Sequence, residues 1–571
     1  VNPFVDYLNS LRTQDAESSP NYVEENRAES LQRIRQIHPW FPTEQTLRVQ
    51  TQMSVLVEAM RRDDFPVDLV FLTGDAGDGK TAACMDLARA EGIERPLEPI
   101  DTINAWTVIK DASEVPEEQL LESISRCRKE RRRLLIAINE GRLRQLQRSA
   151  DLATLWDKLI EPSLRSWIDR STADQLDSAM REERVAVVNF RHRMHVRTVT
   201  PGLLQIWSRS AFWEDSPACS GCKVRASCPI LANIQSVREQ SVAQAMTDVL
   251  TFAHYAGQRL PFRRLQAVLA FTLTGGLRCR DIEGRSPQLT DRFFWLFFQR
   301  EPRGGLRPEP IARSLAPADS AFEAEPSRDR DIETLLRDNS SLSDFDRRAL
   351  QVPGVRESIE TFRALRRRAI FSRSTAPAGT VSGQTAPTWA RALQYLEEAA
   401  LKNSDEELLR TVMRGVNRLH RHTTDMSEAI SGHQLEPAAF RDPQRASLEL
   451  ALGTPFKVEL AKGPVLPALV SAWLESCPSD LECRAWPEHQ PRSDRLARLR
   501  LDARLVMMLL EVNAGFSFIP ALGTHRRQLA RFHAQMTSMI SADKTRIVLR
   551  SGDRAWRLSS AGNKLRFEGH E

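Results

Sequence analysis

Cysteine is scarce in this chain, with eight residues in 571. That density excludes a disulfide-stapled scaffold, so any cluster among the eight needs another reason. Long apolar runs are missing too. The longest candidate, Leu265–Leu277 (LQAVLAFTLTGGL), is too short to cross a bilayer and carries polar residues. No basic-then-apolar leader pattern opens the sequence. The expectation is a cytoplasmic protein with no membrane partner. A large charge excess of either sign is also absent. The formal net charge of +5 is small for this length, so nucleic-acid affinity cannot be argued from total charge, only from clustering. Three basic runs qualify for inspection: Arg128–Arg133, Arg363–Arg368 and Arg526–Arg531. Solvated helix faces are the ordinary explanation for such runs. The sequence holds no nuclease pattern of spaced carboxylates and lysine, no protease triad and no internal repeat.

What is present is the composition of a soluble globular protein, 41% apolar and 27% charged. The length exceeds what one core supports and implies about three or four domains. Changes in pattern suggest an N-terminal helical segment over 1–60, an α/β core over 61–200 and a helical region over 201–300. A linker and further helices follow over 301–460, then a C-terminal α+β module over 461–571. Glu301–Pro326, rich in Pro, Ala and Arg, reads as a linker, and Ser372–Pro387 as a second loop. Alternation over Arg546–Leu549 and Lys564–Phe567 predicts a small β-hairpin or meander near the end.

The most specific pattern lies in the core. Leu69–Leu72 is a short apolar run of the kind buried in parallel sheets. It leads into Gly74-Asp75-Ala76-Gly77-Asp78-Gly79-Lys80-Thr81, which fits G-x-x-x-x-G-K-[ST] without a mismatch. A helix-forming stretch begins at Ala82. Strand, glycine loop and helix together make a phosphate site. The glycines let backbone N–H groups turn inward to form an anion nest, and the helix adds its positive end. Lys80 is then the residue that reaches the β- and γ-phosphates of ATP, and Thr81 the hydroxyl that holds Mg²⁺.

Three further strands are expected at Thr107–Ile109, Leu134–Ile138 and Val185–Val188, alternating with helical patterns. That order predicts a three-layer α/β domain with a parallel sheet and the ligand at the carboxyl ends of its strands. Leu134–Ile138 ends in Asn139-Glu140, where a phosphate-loop ATPase ordinarily ends in two acids. Glu140 is the candidate for orienting and activating the attacking water. Asn139 would touch Mg²⁺ or its water shell through a neutral amide, with one negative charge fewer beside the ion. Val185–Val188 ends in Asn189, a candidate for positioning water near the γ-phosphate.

Cys219, Cys222 and Cys228 form a C-x₂-C-x₅-C pattern on one short loop. In a reducing compartment this spacing points to a metal rather than to a disulfide. Cys279 is the first choice for a fourth ligand and His254 the second. Structural zinc is the leading reading, with an iron–sulfur cluster or no metal as alternatives. Arg263 and Arg264 open the following helix and are candidates to touch the γ-phosphate, against an ordinary salt bridge. Arg191 and Arg193 are weaker candidates for an arginine finger.

Taken together, GDGKT, AINEG, the VVN strand, C-x₂-C-x₅-C-P and the arginine-led helix resemble one family over Leu69 to Asp281. It is the AAA+-like ATPase component of bacterial DNA-phosphorothioation-dependent restriction systems that act in phage defence. The resemblance implies a P-loop NTPase core with a helical lid carrying a zinc loop. It also implies an ATP-hydrolysing subunit working with nuclease or helicase partners, with DNA as a candidate ligand and homo-oligomers common in the class. The competing functions are a nucleotide-dependent switch with little turnover and, against the weight of the long helical second half, a small-molecule kinase.

Overall fold

The computed structural model describes residues 1–13, 31–93, 95–299, 315–319, 326–340, 342–372, 387–402, 405–420, 449–452, 456–475, 480–487, 496–515, 523–539, 547–551, 554–561 and 564–570. Most of the 301–326 linker and nearly all of the 372–387 loop therefore lie outside the described residues.

The chain divides into two compact units that do not follow chain order. The first unit holds Val1–His254, Gln258–Ala376 and Pro464–Cys477. It contains a five-stranded sheet. Its strands are β1 (Leu69–Thr73), β2 (Ile100–Ile103), β3 (Trp106–Ile109), β4 (Arg133–Ala137) and β5 (Val185–Asn189), in the order β2-β3-β4-β1-β5. β1 pairs in parallel with both β4 and β5, and β3 pairs in parallel with β4. β1 and β5 are buried along their whole length, as strands covered on both faces must be. The expected all-parallel sheet needs one correction. Ile100–Ile103 forms an antiparallel edge strand on β3 through a tight turn in which Asn104 takes a φ of 50°. Asparagine tolerates this left-handed backbone, which is why the turn closes without glycine.

Helices cover the sheet. Glu117–Glu130 carries Glu117 and Glu118 in its first turn and Arg128 and Lys129 in its last, which suits the helix dipole at both ends. The first basic run is thus the end of a helix and the turn into β4. Arg128 pairs with Glu183, Arg132 with Glu130, and Arg133 donates to the carbonyls of Arg62 and Asp63. The second basic run is also structural in part. Arg367 is buried, forms a two-pronged pair with Asp319 at 2.8 and 2.9 Å, and lies 4.4 Å from the Trp295 ring.

Beyond β5 the first unit is helical, with Val196–Trp207, Pro229–Val237, Gln240–Tyr255 and Phe262–Thr274. The N-terminal helix Pro3–Thr13 packs on Phe262–Thr274, and Asn9 bonds Thr274 and the carbonyl of Leu277. The first helix is therefore part of this helical layer, whereas Met53–Met60 lies on the helix Lys80–Ala90 of the sheet layer.

A fully buried cation ties the layer together. Arg292 pairs with Asp346 at 2.6 Å and donates to Asn233 Oδ1 and Ser236 Oγ. Phe293, Phe294 and Phe345 surround its guanidinium. Asp346→Ala leaves this charge buried and unbalanced, so it is expected to cost about 3–5 kcal/mol. A denaturant titration of the variant checks this, and an unchanged midpoint would show that the pair is not needed.

Pro464–Cys477 joins the first unit from far along the chain. Leu469, Val470, Trp473 and Leu474 enter the same hydrophobic core as β1, β4 and β5. Trp473 stacks on Phe65 at 5.3 Å, Val465 N donates to the carbonyl of Ile168, and Leu469 N to Asp177.

The second unit holds most of the chain from 377 onward. It contains an antiparallel sheet of β7 (Phe456–Gly463), β8 (Asp480–Pro487) and β9 (Ala497–Leu501). β8 and β9 alternate between buried and more exposed positions, the pattern of a sheet covered on one face. Near the end, β10 (Ile547–Ser551), β11 (Arg554–Ala561) and β12 (Lys564–His570) form an antiparallel meander, with β6 (Glu449–Leu452) added beside β10.

Candidate nucleotide-binding site

The loop between β1 and the helix Lys80–Ala90 has a backbone that its glycines make accessible. Gly74 has a φ of 141°, and a Cβ there would lie 2.7 Å from Asp78 Oδ2 and 2.9 Å from Phe190 Cβ. A side chain is excluded on both counts. Asp78 folds back over the loop and accepts from Asp75 N at 2.7 Å. Lys80 curls into the same space, where its Nζ donates to the carbonyls of Gly74 at 3.2 Å and Asp75 at 2.7 Å. Burial lowers the Lys80 ammonium below its usual range and raises the Asp78 carboxyl. Partial loss of water penalises the charged form of each, which moves an ammonium down and a carboxyl up.

Arginines surround the loop. Arg259 pairs with Asp75 and approaches Asp78 at 3.7 Å. Arg191 pairs with Asp75 at 3.3 Å and with Glu140 at 2.7 Å. Arg193 NH1 reaches toward the Asp78 carbonyl at 3.5 Å. Arg263 meets the loop from the helix Phe262–Thr274. Its N–H donates to the Gly77 carbonyl at 3.3 Å, and a Cβ on Gly77 would lie 3.1 Å from Arg263 Cβ. Arg263 is thus brought against the loop. Arg191 and Arg193 face the loop of their own chain. Reaching a neighbouring subunit's site would require breaking these internal pairs.

Thr81 and Ala82 lie in the first turn of the helix that follows the loop. Asn139 accepts from Arg142 N at 2.8 Å and so caps the short helix Glu140–Gln145. Its side-chain oxygen is occupied, and reaching a metal would cost this cap. Glu140 is held by Arg191 and by Arg144 at 3.0 Å. Through Arg191 it is linked to Asp75 of the loop. Asn189 sits level with Thr73 at the end of β5 and is buried. Its amide donates to Ser163 O at 3.2 Å and its oxygen accepts from Arg191 N at 3.0 Å.

The strand order brings in a residue that the pattern reading passed over. β4 lies between β1 and β3, and β3 runs directly into Lys110-Asp111. Asp111 is buried at the carboxyl edge of the sheet, and its charge acts on Lys80. Ser113 N and Oγ both bond Asp111 Oδ1, which orients the carboxylate. The available signal was an acid at the end of an apolar strand. Lys110 beside it hid the pattern.

His192 adds an acid-sensitive element beneath the loop. It bonds the carbonyl of Arg165 at 2.9 Å, and burial lowers it to about 4, with Arg259 and Arg191 pushing the same way and Glu140 opposing. The native state therefore keeps this ring neutral while the unfolded chain protonates near the ordinary 6.5. Stability from this group is complete above pH 6.5 and is lost as pH falls toward about 4, about 3 kcal/mol in all. Denaturation midpoints at pH 7 and pH 4.5 measure the slope, and His192→Gln should lower it by this ring's share, the rest coming from His195 and His254, which burial shifts the same way. An equal slope in the variant would assign the acid lability elsewhere.

Two of the candidate cysteines meet at a buried asparagine. Asn2 N donates to Cys279 Sγ at 3.3 Å and Asn2 Nδ2 to Cys219 Sγ at 3.2 Å. The Cys228 thiol, pushed up to about 12 mainly by burial, also feels Cys279 and Cys219. Cys222 lies one turn after Cys219, its N–H on the Cys219 carbonyl at 3.2 Å. His254 is lowered to about 4 by loss of water and by the charge of Arg259. Among the described residues, no three His, Cys, Asp or Glu side chains are grouped so as to hold a metal ion in this arrangement. No helix among the described residues is long and apolar enough to cross a membrane. No protein-family model, curated protein or solved structure matches the chain.

Proposed function

We propose that this chain is an ATP-binding and ATP-hydrolysing P-loop subunit, with a three-layer core closed by an arginine-bearing helical lid. The observation that carries this reading is Lys80. It is a partly buried ammonium bonded to loop carbonyls, in a glycine loop that leads out of a central parallel strand and into a helix. A polyphosphate in the nest would replace these carbonyls with charged oxygens as the hydrogen-bond acceptors of Lys80. Arg259, Arg191 and Arg263 are placed to neutralise further phosphate charge.

The oxygen donors near the loop suit Mg²⁺, which prefers hard oxygen ligands. Thr81 would supply a hydroxyl and Asp111 a carboxylate, with Asn139 left to cap its helix. The negative charge missing at Asn139 would then come from the neighbouring strand. When bound, Mg²⁺ would neutralise charge on the β- and γ-phosphates. Glu140 is the residue to orient water, and Asn189 holds the backbone of Arg191 that reaches Glu140. ATP turnover that disappears with Lys80→Ala tests the assignment.

The wider role is an ATPase subunit of an antiphage DNA restriction system, coupling turnover to DNA sensing or to partner nuclease or helicase subunits. It rests on the resemblance over Leu69 to Asp281. Turnover that rises on adding DNA or a partner supports it, and DNA binding should weaken with salt. A switch with little turnover is the second reading, favoured by the double arginine clamp on Glu140. A structural zinc is proposed from the C-x₂-C-x₅-C spacing, with Cys219 and Cys279 both bonded to Asn2 and Cys228 near enough to feel both, Cys222 completing the set.

A further inference from the structure

The Arg193–Glu475 pair joins residues 282 positions apart and is almost fully buried, with side-chain exposures of 4% and 8%. Glu475 Oε2 accepts from Arg193 Nε at 2.7 Å, and Oε1 lies 3.3 Å from NH2. The same carboxylate accepts from Gln52 N at 2.8 Å, and the Glu475 carbonyl accepts from Met194 N at 2.7 Å. Arg193 therefore has one direction left, and NH1 lies 3.5 Å from the Asp78 carbonyl in the phosphate loop.

The segment that supplies Glu475 has an unusual origin. Gly463 at the end of β7 pairs with Asp480 at the start of β8. Between these two partners the chain leaves the sheet and seats 464–475 in the core of the first unit. Whatever fixes or frees Glu475 acts on chain that is covalently continuous with both strands.

We propose that Glu475 is a positioning residue of the nucleotide site, setting Arg193 against the phosphate loop so that seating of the 464–475 strap and nucleotide binding favour each other. The inference rests on the ATP reading of the loop. Without the carboxylate, Arg193 is a buried cation drawn to the nearest anions, Asp78 or a bound phosphate, and the loop loses its set position. By linkage, a nucleotide that fixes Arg193 must stabilise the seated strap by the same factor that the strap improves nucleotide affinity.

The experiment uses the full chain and Mg·ATP. In the unmodified protein, saturating Mg·ATP should slow hydrogen exchange of the 464–475 amides at least threefold. Glu475→Gln should weaken ATP binding at least tenfold and abolish this protection, while Glu475→Asp restores most of both. A loss of packing alone would lower the melting temperature of both variants and leave the ATP-dependent protection in place. Unchanged strap exchange on ATP saturation of the unmodified chain overturns the proposal even if no variant folds. Full ATP affinity in Glu475→Gln overturns it while the ATP reading stands. Absence of ATP binding by the unmodified chain, with Lys80→Ala indistinguishable from it, overturns the ATP reading and this role together.

Discussion

Lys80→Ala is expected to lower ATP affinity on the order of 100-fold or more, with the chain still folded. Lys80 is the partly buried cation that reaches into the glycine loop, and its two present bonds go to carbonyls of that loop. Each charge-assisted hydrogen bond to phosphate contributes about 1.5–3 kcal/mol, and every 1.4 kcal/mol is about tenfold in affinity. Two such bonds give the estimate. Removing an ammonium that burial already disfavours should not destabilise the unliganded protein, because the loop keeps the Asp78 bond to Asp75 N. The measurement is a titration with a fluorescent ATP analogue beside a thermal melt. Equal affinity in Lys80→Ala and the unmodified chain would remove the phosphate-site assignment.

Asp111→Asn and Glu140→Gln should both reduce ATP turnover on the order of 100-fold, for different reasons. Loss of a positioned base or water-orienting group typically costs about 10²–10⁴ in rate. Glu140→Gln should do this with the Mg²⁺ requirement unchanged, since Glu140 is tied to Arg191 and Arg144. Asp111→Asn should raise the Mg²⁺ concentration needed for half-maximal turnover, because Asp111 is the carboxylate proposed to hold the ion at the end of β3. ATP binding without metal should survive in both. Mg²⁺ titrations of the two variants separate the roles, and an unshifted curve for Asp111→Asn would return the metal side to the Asn139 strand.

The core was legible because its signals are local. An apolar run of strand length, a glycine loop and a helix follow one another within 22 residues, and the β1 helix context follows directly. The four strands expected at Leu69, Thr107, Leu134 and Val185 fall within a residue or so of β1, β3, β4 and β5. β2 was missed because Ile100–Ile103 alternates only briefly and its turn rests on one asparagine. The basic runs misdirect in the opposite way. Arg367 reads as surface charge, yet it lies buried on Trp295 with Asp319, and the sequence places that acid far from it.

The sequence by itself determined the glycine loop, the strands around it and the spacing of three cysteines, since each depends on neighbours a few residues apart. Tertiary structure alone decided which strand lies beside which, and thereby raised Asp111 as a partner of Lys80 across β4. It also decided that Asn2 joins Cys219 to Cys279, and that Glu475 holds Arg193. These pairings rest on burial. A charged or polar group taken out of water must find a partner wherever the fold can bring one, and no local periodicity records which distant residue that will be.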